Sequence, residues 1–190
     1  MATSTDDASP RDRLLDAAME LFYRDGVSLG VEALCRAAGV SKRSMYQLFG
    51  GKDDVLAASL ERRMPAYGQR FGLGTQGPRA PREQILYVFE QLEQASTEEG
   101  YRGCPFLSAL VELKDPAHPA SVVALRAKAA LTGAFREQAE RGGAHDPDLL
   151  ARQLTLVFDG ASARAGAGAE TLQGLTTSTA TALLDAAGVT

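Results

Sequence analysis

The chain has 190 residues, 45% of them hydrophobic, and a formal net charge of −4 at pH 7. That length and apolar content fit one ordinary domain or two small ones around a substantial core, and the acidic balance excludes a protein that neutralises phosphates with its whole surface. No apolar run reaches the roughly 18 residues of a membrane span, and polar residues 1–10 lack a secretory pattern, so a cytoplasmic protein with no membrane contact is expected. Cys35 and Cys104 stand far apart with no zinc-ligand spacing around them, which predicts buried thiols, no metal site and no cofactor.

Strand patterns are almost absent, and apolar residues return at helical spacing along the whole chain, which predicts an all-α protein. Residues 1–9 read as a disordered tail. A first helix starts after the capping residue Ser9, with Pro10 at its first position. It buries Leu14, Ala18, Leu21 and Phe22 on one stripe, and Gly26 closes it. Short helices over 31–38 and 41–49 follow, separated by the turn at Gly39 and Val40. A fourth covers 52–71, and Pro65 is expected to kink or interrupt it because proline removes a helix donor. The helix-breaking stretch from Gly72 to Pro78 is the best candidate linker.

Five more helices are predicted over 81–99, 102–113, 119–141, 147–165 and 170–187. In the fourth of these, Leu150, Leu154, Val157, Phe158 and Ala161 share a face. Its end, residues 160–169, consists almost wholly of small residues. Such a run suits close backbone approach across a dimer, or else a frayed helix end. The expected organisation is a three-helix domain over 10–56 and a second helical domain over 57–190.

The informative stretch is 34–52. Two short helices joined by a glycine turn form a helix-turn-helix, whose second helix lies in the major groove with its N-terminal residues toward the bases. That helix opens at Ser41 and presents Lys42, Arg43 and Ser44 on its first turn, where the helix dipole and free amides already favour phosphate. Residues 33–52 carry Arg36, Lys42, Arg43 and Lys52 and no acid, so a local positive patch exists despite the acidic total. Met45, Leu48 and Phe49 recur at core spacing. Tyr46 and Gln47 point elsewhere, toward backbone phosphate or a base edge, and Lys52 takes another phosphate position.

This stretch resembles the DNA-binding domain of the TetR family, whose pattern Ala-Ala-Gly-Val-Ser-x-x-Thr-Leu-Tyr-x-x-Phe-x-x-Lys appears here as Ala37-Ala-Gly-Val-Ser-Lys-Arg-Ser-Met-Tyr-Gln-Leu-Phe-Gly-Gly-Lys52. The first helix, Leu14-Leu-Asp-Ala-Ala-Met-Glu-Leu-Phe22 with Gly26, matches too, so the likeness spans about residues 11–63. Carried over by position, it implies that Lys42, Arg43, Ser44, Tyr46, Gln47 and Lys52 face double-stranded DNA. Ser44 and Met45 are mild departures. Gly30 and Gly51 replace the usual helix caps, and Leu48 replaces a frequent histidine.

The segments Arg102-Gly-Cys-Pro-Phe-Leu-Ser-Ala-Leu-Val-Glu112 and Phe158-Asp-Gly-Ala-Ser-Ala-Arg164 are similar to a recurring subgroup of the same family. The resemblance implies an unknown small-molecule effector in a pocket to which Cys104, Phe106, Leu107 and Leu110 contribute, with ordinary core packing the competing role and a sensing role for Cys104 a further one. It also implies a homodimer made by the last two long helices, with Leu154, Phe158, Ala161, Leu175 and Leu183 as interface candidates. The expected function is a repressor that binds a palindromic operator and is released by its effector. The rival readings are a helical protein-interaction module and an enzyme. His118 and His145 lack partners at catalytic or metal spacing, and Gly50-Gly-Lys52 lacks the other elements of a phosphate-binding loop, so no catalytic residue is assigned.

Overall fold

The computed structural model describes residues 8–73 and 80–190, so the expected linker and tail fall largely outside the described residues. Among the described residues the regular structure is wholly helical: α1 (Pro10–Asp25), α2 (Val31–Ala38), α3 (Lys42–Leu48), α4 (Lys52–Arg70), α5 (Pro81–Ser96), α6 (Pro105–Leu113), α7 (Pro119–Arg141), α8 (Pro147–Gly166) and α9 (Leu175–Ala187). The chain forms two compact units. One holds residues up to Arg63 together with Ala109–Ala124; the other holds Met64–Ser108 and Leu125–Thr190.

In the first unit, α1 is capped by Ser9, whose hydroxyl oxygen accepts from the Asp12 amide at 3.1 Å. Its stripe of Leu14, Leu15, Ala18, Leu21 and Phe22 is buried, against Leu34, Cys35 and Ala38 of α2 and Met45 of α3. Burial of each leucine, phenylalanine or methionine among them stabilises the fold by about 1.5–3 kcal/mol. Gly39 closes α2 in the left-handed region, φ 61°, and its amide returns to the Arg36 and Cys35 carbonyls. A residue with a Cβ would be strained there, so the sharp turn into α3 requires glycine. Arg13 secures the same corner by donating from Nε to the Ala38 carbonyl at 3.2 Å.

Residues 109–124 join this unit through polar contacts that no local pattern encodes. The Glu112 carboxylate accepts from the Val27 amide at 2.8 Å, and His118 Nε2 lies 3.5 Å from the Asp53 carboxylate. Pro65 lies inside a continuous α4, so the expected interruption does not occur; the proline removes one donor without ending the helix.

The second unit is built on α5, α8 and α9, which contact one another pairwise. Phe89 stacks on Phe135 with ring centroids 5.6 Å apart, and Phe71 meets Phe158 edge-on at 5.2 Å, a geometry favoured by the ring quadrupoles. The end of α8 stays helical to Gly166. A Cβ at Gly166 would fall 2.4 Å from the Arg102 carbonyl carbon, so this glycine lets the backbone at 102–103 lie directly on the helix. Part of the small-residue run is therefore consumed inside the protomer.

The last helix begins without a side-chain cap of its own, because its N-cap is Gly174. Glu93 of α5 supplies the acceptor instead, taking hydrogen bonds from the amides of Gly174, Thr176 and Thr177 at 2.8, 3.0 and 3.0 Å, and from both threonine hydroxyls. Burial pushes the Glu93 carboxyl up, but the bonds from Thr176, Thr177 and Gly174 outweigh it, and the net result lies below the usual carboxylate value. A depressed folded-state pKa contributes stability that is present above the unfolded value and lost as pH falls through the folded one. Glu93→Ala is expected to cost about 1–2 kcal/mol at pH 7, the low part of the range for bonds to a charged group because the carboxylate is only half-buried. In urea titrations the gap to the unsubstituted protein should narrow as pH drops below the ordinary carboxylate range; a gap unchanged from pH 7 to 3 would contradict this cap.

Candidate nucleic-acid interface

The geometry of α3 starts at its first residue. Ser41 is the N-cap, and its side chain accepts from the Ser44 amide at 3.0 Å. The Ser44 hydroxyl lies 2.9 Å from Ser41 Oγ, so Ser44 is half-buried and belongs partly to the cap. Met45 and Phe49, four residues apart, are buried at 0% and 8% exposure and turn the opposite face outward. That face carries Lys42, Arg43, Tyr46 and Gln47, all exposed, with Tyr46 at 56%.

Two of these cations differ in their surroundings. Lys42 is exposed but pairs with Glu32 of α2. The Arg43 side chain makes no hydrogen bond or ion pair among the described residues. Arg36, on the outer face of α2, is a further exposed cation of the same unit, read in the sequence only as part of the basic stretch.

One expectation needs correction: Leu48, expected in the core with Met45 and Phe49, is 40% exposed. A seven-residue helix offers one buried stripe, and Met45 and Phe49 fill it. Lys52, expected at a phosphate, is half-buried and donates from Nζ to the Val27 carbonyl at 2.9 Å. Both main-chain polar groups of Val27 are thus held by side chains, the carbonyl by Lys52 and the amide by Glu112.

The remaining site residues lie elsewhere. Cys104 and Phe106 are buried at 2% and 1% exposure, while Leu107 and Leu110 are half-buried. Phe106 meets Tyr67 edge-on at 5.1 Å. Burial, followed by the neighbouring Cys104, pushes the Tyr67 phenol well above its ordinary value, so it stays neutral. Leu110 falls in the first unit, and the other three in the second.

Leu154 and Phe158, expected at a dimer interface, are fully buried in the core of the second unit and cannot meet a partner. The stripe that looked like an interface is the one α8 turns toward its own core. Its outward face carries Leu149 and Leu156, at 48% and 73% exposure, followed by exposed Gly160 and Ala163. The signal was the second stripe at i, i+7, i+11 and i+14. Leu175 is 50% exposed, and Ala161 and Leu183 are half-buried. A cavity of about 200 Å3 lies beside this face, lined by Val157, Ala161, Leu172, Leu175 and neighbouring polar residues. None of Cys104, Phe106, Leu107 or Leu110 lines it.

The Lys52 geometry carries its own test. Lys52→Met keeps the aliphatic stem but leaves the Val27 carbonyl without its donor, so a stability loss of about 1–2 kcal/mol is expected. Thermal melting checks it, and an unchanged midpoint would show that the contact contributes nothing.

Among the described residues no helix is long and apolar enough to cross a membrane. The family model described as bacterial regulatory proteins, tetR family, matches residues 14–59. The HTH-type transcriptional regulator SrpR of Pseudomonas putida is 39% identical over 62 residues, which make up 32% of this chain and 29% of that protein. The chain therefore matches less than a third of that curated relative's length. Among solved structures, a Streptomyces avermitilis protein assigned to the TetR transcriptional regulators is 60% identical, with a TM-score of 0.93 over 96% of this chain and 100% of that one. SCO4454, a TetR-family transcriptional regulator from Streptomyces coelicolor, is 27% identical with a TM-score of 0.85, covering 94% and 96% of the two chains. A fold and sequence likeness sustained over that whole length, joined to a helix-turn-helix with its cations outward, shows that the chain belongs to the TetR family of transcriptional regulators and is not an enzyme.

Proposed function

We propose that this regulator is a homodimeric repressor that reads a palindromic operator with α3 of each protomer and leaves it when a small molecule binds the second unit. The observation that carries the reading is the outward face of α3: Lys42, Arg43, Tyr46 and Gln47 exposed on a helix whose other side is anchored by Met45 and Phe49. Arginine and lysine on such a face meet phosphate or guanine, and glutamine reads adenine. Tyr46 offers an apolar ring and a hydroxyl for the backbone, and Ser44 a hydroxyl at the edge of the same face. Lys52 acts mainly by fixing the turn before α2, so phosphate contact is assigned to Lys42 and Arg43.

A dimer places two recognition helices one helical turn of DNA apart, roughly 34–36 Å. The outward stripe of α8 and the start of α9 support self-association. Leu149, Leu156 and Leu175 leave much of their apolar surface in water, and a Cβ at Gly160 would meet nothing within 4 Å, so the protomer itself has no use for that glycine. Close approach by a second copy would use it. The effector is assigned to the second unit, with Cys104, Phe106 and Leu107 as candidate pocket residues and Leu110 farther along α6. It releases DNA only to the extent that it binds one conformational state better than the other.

Two experiments test this reading. Arg43→Ala should weaken binding to any duplex and reduce the slope of log affinity against log salt by about 0.9, the amount expected for one phosphate contact; an unchanged slope would remove Arg43 from the interface. Leu156→Asp should convert a dimer into a folded monomer by light scattering while leaving the helical signal intact. A substituted protein that remains dimeric would place the interface elsewhere.

A further inference from the structure

We propose that Glu32 is an internal competitor for DNA phosphate: its carboxylate holds the Lys42 ammonium in the free protein and so weakens binding to DNA of any sequence. The proposal rests on the reading of Lys42 as a phosphate contact. Glu32 lies in the first turn of α2 and Lys42 is the first residue of α3, ten positions later across the Gly39 turn, and the two side chains form an ion pair. Both remain largely in water, with side-chain exposures of 71% and 52%. The pair is therefore easily opened, as a switchable contact must be.

The surroundings single this contact out. Residues 33–52 contain no acid; Glu32 bounds this basic stretch on one side and Asp53 and Asp54 on the other, and of these it is Glu32 that pairs with a cation of α3. Arg43, next to Lys42, has no such partner among the described residues. One cation of the recognition helix is thus presented bare and the other already neutralised. The hydrogen bond and charge of each member hold the other in its ionised form, Glu32 below and Lys42 above their ordinary values. Arg36, four residues along α2, also attracts the carboxylate.

A phosphate that approaches Lys42 must displace the carboxylate or share the ammonium with it. The affinity lost this way is bounded by the strength of an exposed ion pair, up to about fivefold. The same pairing hides one charge from the DNA counterion atmosphere. Freeing Lys42 should therefore steepen the salt slope by up to about 0.9.

The test uses the full chain and a 30-base-pair duplex of random sequence, with affinity read by fluorescence anisotropy across a salt series. Glu32→Gln is expected to tighten binding about two- to fivefold and steepen the slope, whereas a merely structural Glu32 would weaken binding when replaced. In a Lys42→Ala background the same substitution should have no effect. Equal tightening in both backgrounds would overturn the proposal, because Glu32 would then repel phosphate directly rather than act through Lys42. No change on Glu32→Gln would overturn it as well. If Lys42→Ala, with or without Glu32, leaves affinity and slope untouched, Lys42 is no DNA contact and both this proposal and that part of the functional reading fall, while the Arg43 experiment stands apart.

Discussion

The outward face of α3 exists only because Met45 and Phe49 are buried beneath it. A helix of seven residues is far below the length at which helical hydrogen bonds sustain themselves in water. Its persistence comes from the two side chains on its inner face and from the Ser41 cap at its start. Every polar group on the other side inherits its position from that anchorage. The orientation of Arg43 and Gln47 is thus a property of the small core formed by α1, α2 and α3.

That core is held at its margins by polar contacts spread widely along the chain. Arg13 fixes the end of α2, Lys52 and Glu112 fix the two sides of Val27, and His118 lies against Asp53 at the start of α4. Of the four cations in residues 33–52, Lys52 is drawn into this scaffold. A cation near a DNA-facing helix can be occupied by a carbonyl, paired with a carboxylate, or bare, and Lys52, Lys42 and Arg43 illustrate the three conditions in turn. A single net charge for the whole chain conceals these differences.

The first half of the fold was legible because its signals are local. Ser9 with Pro10, Gly26, the Gly39 turn and the stripe on α1 each act within one or two helical turns, and α1, α2 and α3 fall close to where periodicity puts them. Residues 109–124 were not legible as part of the first unit, since contacts such as Glu112 to Val27 span 85 positions. The outer face of α8 is illegible for a different reason. That helix has apolar residues on two sides, and periodicity cannot say which side meets its own chain and which meets water, so Leu154 and Phe158 are as eligible for the outer stripe as Leu149 and Leu156. At the recognition helix the residue types were readable, whereas their partners, Glu32 for Lys42 and Val27 for Lys52, required the folded arrangement.

The carboxylate at the head of α9 bears on the order in which the chain can assemble. Glu93 precedes the amides it receives by more than 80 positions, and Gly174 offers them nothing in its place. A ribosome releases α5 long before α9, so the acceptor is waiting when the C-terminal segment emerges. A thirteen-residue helix rich in threonine has little tendency to nucleate unaided. Its winding is therefore coupled to docking, and closure of the second unit waits until α9 has been made.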